Sequence, residues 1–205
     1  MPSYTELRIL KISRKHNLSH IGSCLMAQGP IEAIYKTKQP QDIFILSSGH
    51  AGLALYCILE QWGFGDAEKL YLKHGTHPNR DLKDGIWAST GSLGHGIGIG
   101  VGMAIAEPDK IVYIVSTDGE MAEGSVWEAL RIAGELQLKN IRLAVVCNGY
   151  GGYGKIDVDM IEKRLDNFYP CIVVKANLFN YPDWLQGQDG HYVTLDDAKA
   201  KELNL

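Results

Sequence analysis

The amino-acid sequence predicts an α/β protein with a three-layer α/β/α fold and a mainly parallel sheet. Residues 111–116 and 141–147 are short apolar runs rich in β-branched side chains, which is typical of buried strands in a parallel sheet. Residues 122–137 lie between them and carry apolar residues at helical spacing. The same alternation of strand and helix extends along the chain and predicts a single domain over residues 1–205.

The composition excludes several classes of function. The 205-residue chain is 45% hydrophobic and 21% charged, which is typical of a globular domain. Its net charge of −4, without a cluster of lysine or arginine, argues against nucleic-acid binding. No segment approaches the ~20 apolar residues of a membrane span, and the N-terminus lacks the apolar core of a signal peptide. The four cysteines are widely spaced, so we expect reduced thiols and a cytoplasmic protein.

The N-terminal part of the chain is predicted to contain two helices. Ser3 and Glu6 have the spacing of a capping box and start the first helix. A cluster of glycine and serine around His20 follows it. The second helix is expected at residues 30–35, with Pro30 in its first turn, where proline is tolerated.

A strand, two helices and a long loop are predicted next. Residues 42–47 read as a short strand, and His50 stands at the junction where this strand turns into an apolar helix. Residues 66–73 have the pattern of a short helix. Residues 74–85 have loop composition and include His77.

A glycine-rich segment precedes the central strand, with six glycines between Gly91 and Gly102. Glycines let a backbone approach an anion closely, and they also let a helix pack closely on its neighbour. Glycine inside a helix costs about 1 kcal/mol relative to alanine, so the run has a structural reason. Either close packing or anion binding would supply that reason.

The C-terminal part is predicted to consist of short elements. Residues 149–155 read as a loop rich in glycine and tyrosine, residues 159–166 as a helix, and residues 171–175 as a strand. A last loop contains His191. Thr194 is expected to cap a closing helix.

Polar residues follow the two central strands. Asp118 comes after the first strand and Asn148 after the second, and ligands of parallel sheets bind beyond the carboxyl ends of the strands. Carboxylate and amide oxygens suit Mg²⁺ or Ca²⁺, and Mg²⁺ in such sites also binds phosphate oxygens. The pair therefore predicts a metal-diphosphate site. The alternative is that Asp118 caps a helix and Asn148 lies in an ordinary turn.

Several motifs resemble the thiamine-diphosphate enzymes, in the version carried by transketolases. They are Asp118-Gly119-Glu120, Glu123-Gly124, Trp127-Glu128-Ala129 and Asn148, together with histidine loops at residues 19–23, 44–51, 77–78 and 189–191 and the segment Ser89-Thr90-Gly91-Ser92-Leu93-Gly94. The likeness spans roughly residues 19–191. It implies the N-terminal, diphosphate-binding half of a transketolase, with the thiamine-diphosphate-binding fold.

The resemblance implies thiamine diphosphate and Mg²⁺ (or Ca²⁺) as cofactors, in a transferase that moves a two-carbon ketol unit between sugars. The implied site residues are the catalytic histidines His20, His50, His77 and His191, the cofactor-binding residues His50, Gly91, Ser92, Leu93, Gly119, Glu120, Glu123, Asn148 and His191, and the metal ligands Asp118, Asn148 and the carbonyl of Tyr150. Glu123 and Glu128 are implied to join a glutamate network that links paired active sites across an interface. Any one of the histidines alone could be structural.

One domain of the family has no counterpart among the motifs of this sequence. In transketolases the glutamate that activates the cofactor lies on a pyrimidine-binding domain. We therefore expect a split transketolase, in which this chain is active only with a pyrimidine-binding C-terminal subunit, in an α2β2 assembly. The expected substrate is a sugar phosphate or a nucleotide-linked sugar.

The sequence departs from the family at three positions and leaves two other functions open. Thr117 stands where glycine is usual, Ile21 where proline is common, and His95 where glutamine is common. The chain could instead be a subunit of a pyruvate-dehydrogenase-type 2-oxo acid decarboxylase, or a non-catalytic module that binds the cofactor or a partner. The first three histidine loops, at residues 19–23, 44–51 and 77–78, favour a polyhydroxylated substrate and hence ketol transfer.

Overall fold

The main sheet of the protein has four parallel strands. In the computed structural model, which describes residues 2–205, their order is β1 (Ile43–Leu46), β2 (Val112–Thr117), β3 (Ile141–Cys147) and β6 (Ile172–Lys175). Met1, which the predicted domain includes, lies outside the described residues. Two short strands, β4 (Tyr150–Gly151) and β5 (Gly154–Lys155), form a separate antiparallel hairpin. The helices are α1 (Tyr4–His16), α2 (Ile21–Thr37), α3 (Gly52–Gln61), α4 (Ala67–His74), α5 (His95–Ala106), α6 (Gly124–Glu135), α7 (Val158–Phe168) and α8 (Asp197–Glu202).

Two apolar cores lie on opposite faces of this sheet. Successive side chains of a strand point to opposite faces, so Phe44 and Leu46 of β1 pack with α1, α2 and α3, while Ile43 and Ile45 pack with α5 and α6. The predicted three-layer α/β/α class with a parallel sheet is confirmed. None of the helices described between residues 2 and 205 combines the length and the apolar character needed to cross a membrane.

The N-terminal helices confirm one prediction and correct another. The Ser3 hydroxyl accepts from the Glu6 amide, and the Glu6 carboxylate accepts from the Ser3 amide, which is the predicted capping box. The prediction of a second helix at residues 30–35 is wrong, because α2 already begins at Ile21. Pro30 lies inside α2. A proline there removes one backbone hydrogen bond, but the helix continues because its apolar residues are buried in the core.

Three further boundaries differ from the sequence-based expectation. Residues 149–155 form the hairpin β4–β5 and not an open loop. A single 3₁₀ turn over Asp118–Ala122 precedes α6, which therefore starts later than residue 122. Thr194 does not cap α8, because Asp196 accepts from the Lys199 amide instead. Both residue types favour this position, and only the carboxylate of Asp196 lies one turn before that amide.

The last part of the glycine-rich segment folds as α5, and close packing explains two of the four glycines in this helix. A Cβ atom at Gly96 would lie 2.5 Å from the Ser47 Cα, and one at Gly100 would meet the Ile114 side chain, so both positions require glycine against the sheet. Gly98 and Gly102 point the other way, and an added Cβ would meet nothing within 4 Å. The outward glycines have no packing reason within the described chain.

Candidate active site

A cleft opens at the carboxyl ends of β2 and β3. Thr117 pairs with Val146 in the parallel register, so Asp118 and Asn148 leave the sheet side by side. The cleft holds ≈ 860 Å³ of empty space including its mouth, which is in the size range of small-molecule sites. It is lined by His20, Ser23, Met26, His50, His77, Leu93, Thr117, Asp118, Gly119, Val146, Asn148, Tyr150, Gly151, Gly152, Tyr153, His191 and Tyr192.

Asp118 joins the two strand ends through its carboxylate. Its Oδ2 accepts hydrogen bonds from the backbone amides of Asn148 at 2.9 Å and Gly149 at 2.8 Å, and its Oδ1 accepts from the Gly119 amide at 3.0 Å. Only 2% of the residue is exposed. Burial raises the pKa of Asp118, and the three backbone donors oppose this shift. The structure thus brings Asp118 and Asn148 together, and it gives the carboxylate no role as a cap of α6.

The hairpin β4–β5 sets the orientation of the loop after Asn148. The Asn148 side-chain oxygen accepts from the Tyr150 amide at 2.9 Å, and the Gly149 carbonyl accepts from the Ile156 amide at 2.8 Å. Tyr150 pairs with Lys155, directly after the hydrogen-bonded pair of Gly149 and Ile156. Antiparallel pairs alternate between hydrogen-bonded and non-hydrogen-bonded, so the Tyr150 carbonyl is left out of the hairpin ladder.

Three of the four predicted histidines form a compact group. The ring centroid of His20 lies 5.2 Å from that of His50 and 6.3 Å from that of His191. The His20 amide donates to the His191 carbonyl at 2.9 Å, so the two loops are held together by a backbone bond. His20 has a φ of +59°, in the left-handed region, where non-glycine residues are strained.

The cleft environment keeps His20 and His50 neutral. Burial, and then the neighbouring His20, His191 and His77, lower the pKa of His50 to about 3. Burial, followed by the proximity of His191 and His77, also lowers the pKa of His20. Among the described residues, the buried Nδ1 of His20 has no hydrogen-bond partner. A neutral imidazole can donate one hydrogen bond and accept another, so this group can bind hydroxyls without adding charge.

His77 reaches the cleft from a loop that a backbone hydrogen bond joins to the segment before Gly91. The Thr90 amide donates to the Pro78 carbonyl at 3.1 Å. Gly91 has a φ of +147°, and a Cβ atom there would lie 2.9 Å from the His77 ring. Gly91 therefore borders the ring of His77 and is not part of the cleft lining.

The structure places the remaining predicted cofactor residues at different depths. Leu93 and Gly119 line the cleft, whereas Ser92 and Glu123 do not. Glu123 is the N-cap residue of α6. Two further carboxylates lie away from the cleft surface. Glu120 is completely buried beneath it, and Glu128 is exposed and paired with Arg131 at 2.7 Å.

Several cleft residues had no clear signal in the sequence. Ser23 and Met26 lie in the first turns of α2, which the sequence-based boundary placed outside the helix. Tyr153 sits at the tip of the hairpin, and Tyr192 follows His191 directly. Two weak signals were available in the sequence. Tyr192 is next to a site histidine, and Tyr153 is surrounded by glycines.

The polar groups of the cleft are hard oxygen donors and imidazoles. Among the described residues that line it, there is no lysine or arginine. A diphosphate placed here would lack a cationic side chain as its counterion. The carboxylate of Asp118, the amide of Asn148 and the free carbonyl of Tyr150 instead fit a divalent cation that prefers oxygen ligands.

A parallel α/β/α sheet with an acid and an amide at adjacent strand ends is the arrangement expected of a diphosphate-binding domain of the thiamine-diphosphate class. Residues 25–169 match the family described as "Transketolase, thiamine diphosphate binding domain". The chain belongs to this family. The predicted family and fold are therefore confirmed.

Relatives with curated descriptions are similar over most of this chain. It is 34% identical over 154 residues to one of the subunits of the apulose-4-phosphate transketolase of Phocaeicola vulgatus, covering 65% of this chain and 54% of that protein. It is 34% identical over 188 residues to human transketolase, covering 81% of this chain and 30% of that protein. The chain thus spans about half of the Phocaeicola relative and about a third of the full transketolase.

Solved transketolase structures share the fold. A variant of the Pichia stipitis enzyme, in complex with fructose 6-phosphate, matches 98% of this chain and 40% of its own with a TM-score of 0.73 and 24% identity. The Campylobacter jejuni enzyme matches 99% of this chain and 43% of its own with a TM-score of 0.69 and 22% identity. At this level of identity the likeness shows the fold alone.

Proposed function

We propose that this chain is the diphosphate-binding subunit of a transketolase-like enzyme, which transfers a two-carbon ketol unit between sugars together with a pyrimidine-binding partner chain. The observation that carries the proposal is the contact of Asp118 with the Asn148 segment, in a cleft that also holds four histidines. On this proposal residues 1–205 are one domain of a two-chain enzyme. From the free cysteines of this chain we predict a cytoplasmic location.

The metal and the diphosphate would share the cleft floor. Asp118, Asn148 and the Tyr150 carbonyl would hold Mg²⁺ or Ca²⁺, and the cation would neutralise the diphosphate in a cleft without lysine or arginine. The phosphate would lie beside Gly119, where an added Cβ would find no atom closer than 3.7 Å. His50 and His191 can donate hydrogen bonds to the remaining phosphate oxygens.

Thiamine diphosphate, when bound, supplies the carbon nucleophile of ketol transfer. The histidines of this chain would bind the hydroxyl groups of the sugar and stabilise the oxygen on which negative charge develops. Because the pKa values of His20 and His50 are lowered, both are neutral at physiological pH and can act as donors without protonation. Their tight grouping favours a substrate with several adjacent hydroxyls.

The outer face of α5 is a feature that favours the binding of a partner chain. Gly98 and Gly102 leave a smooth surface, and Ile99 and Ile105 beside them are 36% and 48% exposed. Exposed glycines in a helix lower its stability, and they are explained if another chain packs closely there. α5 begins directly after Leu93 and Gly94, so a chain packed on it would reach the cleft mouth. We propose that the pyrimidine-binding subunit packs there in an α2β2 assembly, with Glu123 and Glu128 near the interface.

The name of one relative supports a class of substrate. One relative is named for apulose 4-phosphate, and the cleft of this chain has no lysine or arginine among its described lining residues to bind a substrate phosphate. We therefore propose a sugar phosphate whose phosphate group is bound by the partner chain. A nucleotide-linked sugar is the other expected class.

The test compares the isolated chain with a mixture of the chain and a candidate pyrimidine-binding subunit. Binding of thiamine diphosphate is measured by calorimetry with and without Mg²⁺, and ketol transfer is measured between sugar phosphates. Activity only in the mixture, dependent on Mg²⁺, would support the proposal. Full activity of the isolated chain would exclude the split enzyme. Decarboxylation of 2-oxo acids in the mixture would favour the pyruvate-dehydrogenase type, and binding without turnover of either substrate class would favour a non-catalytic module.

A further inference from the structure

The carboxylate of Glu120 is a hydrogen-bond hub beneath the cleft. Its Oε1 accepts from the Ser47 hydroxyl at 2.7 Å and from the Gly94 amide at 2.9 Å. Its Oε2 accepts from the Ser116 hydroxyl at 2.7 Å and from the Thr117 amide at 3.2 Å. Glu120 is 0% exposed and does not line the cleft, so none of these bonds is replaced by solvent.

The donors belong to three segments that are distant in sequence. One segment ends β1 and leads into His50, the second carries Leu93, and the third ends β2 and leads into Asp118. Each of these three residues lines the cleft. A single side chain therefore ties together the backbones that present a histidine, an apolar wall and the proposed metal ligand.

The bond pattern requires a carboxylate. Each oxygen accepts from one hydroxyl and one backbone amide, and a hydroxyl can turn to accept instead, whereas an amide N–H can only donate. Glutamine would therefore set its NH₂ group against the Gly94 or the Thr117 amide in either orientation. An apolar side chain of similar size would fill the space without the cost of burying a carboxylate, so packing alone does not account for Glu120.

We propose that Glu120 is a positioning residue, which fixes the three cleft segments relative to one another and does not itself contact the cofactor. This inference rests on the proposed function only where it predicts cofactor affinity. Its structural part, the mutual fixing of the three segments, can be tested on the chain alone. The two parts therefore have separate readouts.

Asn140 offers a matched control at the opposite end of the sheet. It is 9% exposed, and its Nδ2 donates to the carbonyls of Ala104 at 2.9 Å, Lys110 at 3.1 Å and Glu107 at 3.2 Å. Asn140→Ala removes a buried polar hub of similar size before β3, far along the strand from the cleft. Any effect of general destabilisation should appear in both variants.

The experiment compares Glu120→Gln with Asn140→Ala in the full chain, using hydrogen exchange of backbone amides and calorimetry with thiamine diphosphate and Mg²⁺ in the presence of the partner chain. In Glu120→Gln we expect faster exchange in all three segments, residues 47–50, 91–94 and 117–119, and about 10-fold or greater loss of cofactor affinity, the size of a lost bond to a charged acceptor. In Asn140→Ala both quantities should stay at the wild-type level after correction for global stability.

Exchange that rises equally in both variants, or in only one of the three segments, would overturn the inference. Cofactor affinity unchanged in Glu120→Gln would also overturn it. A wild-type protein that binds no thiamine diphosphate would instead contradict the proposed function, and the exchange data would still decide the role of Glu120. If Glu120→Gln does not fold, Ser47→Ala and Ser116→Ala each remove one hydroxyl donor. Each should then raise exchange in all three segments, and a rise confined to the mutated segment would contradict the inference.

Discussion

The ring of His77 lies directly against Gly91, so that a Cβ atom at residue 91 would lie 2.9 Å from the ring. The glycine has a φ of +147°, a conformation that other residues rarely adopt. The two residues belong to different segments, and the Thr90–Pro78 backbone bond holds these segments together. The direction of the His77 side chain therefore depends on the absence of a side chain at residue 91.

Gly91→Ala should displace the His77 ring and strain the backbone, which costs about 1–3 kcal/mol in such conformations. We expect ketol transfer by the assembled enzyme to fall about 10-fold or more, because a displaced group loses about 1.4 kcal/mol or more of its effect on the transition state. The measurement is kcat/KM together with thermal unfolding. Gly29→Ala is the control, because Gly29 lies in α2 with nothing within 4 Å of an added Cβ. Equal activity of the two variants would contradict the role of His77.

Asp118→Asn should weaken metal-dependent binding of thiamine diphosphate. The asparagine can keep one oxygen toward the amides of Asn148 and Gly149, so we expect the chain to fold, but it loses the charge that binds the cation. The expected loss of affinity is about 100-fold, the size of removing a charged ligand bond. Calorimetry with thiamine diphosphate and Mg²⁺ measures it. The exposed Asp109→Asn is the control for a change of net charge.

The central part of the site could be predicted from sequence because it follows from topology alone. Two apolar runs separated by one helix give parallel neighbouring strands, and this places Asp118 next to Asn148 whatever the details of packing. The start of α2 could not be predicted, because tertiary burial of its apolar residues outweighs the proline at residue 30. Tyr153 lies in the cleft because of a hairpin whose four glycines look like any flexible loop.

The hub at Glu120 shows a different limit of sequence analysis. The resemblance of Asp118-Gly119-Glu120 to the transketolase signature implies that this residue binds the cofactor. The 3₁₀ turn that begins at Asp118 points its side chain down between β1 and β2, where Ser47 and Gly94 supply donors. Such long-range pairing of one carboxylate with three segments leaves no periodic pattern in the sequence.

His50 should make the stability of the chain depend on pH below neutrality. Its pKa is lowered to about 3 in the folded protein from an ordinary value of 6.5. Between these values the unfolded state binds a proton that the folded state does not, so the free energy of unfolding falls as the pH falls below 6.5, by up to about 1.4 kcal/mol per pH unit. His20, whose pKa is also lowered, adds to the effect in the same direction.

The replacement His50→Gln removes this proton uptake by the unfolded state. We expect a smaller slope of the free energy of unfolding against pH between about 6.5 and 4.5, measured by urea denaturation at several pH values. The exposed His95→Gln is the control for the loss of one histidine. An identical slope for His50→Gln and the wild type would show that the histidine is not kept neutral in the folded protein.

Substitutions at the outward glycines of α5, Gly98 and Gly102, should affect the stability of the isolated chain and its assembly in different ways. Alanine is favoured over glycine in a helix by about 1 kcal/mol, so Gly98→Ala and Gly102→Ala should each stabilise the isolated chain by about that amount. Neither added Cβ lies within 4 Å of its surroundings in residues 2–205. The inward pair behaves oppositely, because alanine at Gly96 would collide with Ser47, and Gly96→Ala should destabilise the chain.

If the partner chain packs closely on α5, larger side chains at these positions should keep it away. Gly98→Leu combined with Gly102→Leu should leave the isolated chain folded, weaken its association with the pyrimidine-binding subunit, and lower ketol transfer in proportion to the lost complex. Analytical ultracentrifugation of the mixture measures the association. Full assembly with both leucines present would mean that the partner binds another face, because the side chains of two leucines cannot fit where a helix packs against glycine. A loss of assembly with unchanged folding would place the interface on the helix that begins at the rim of the cleft.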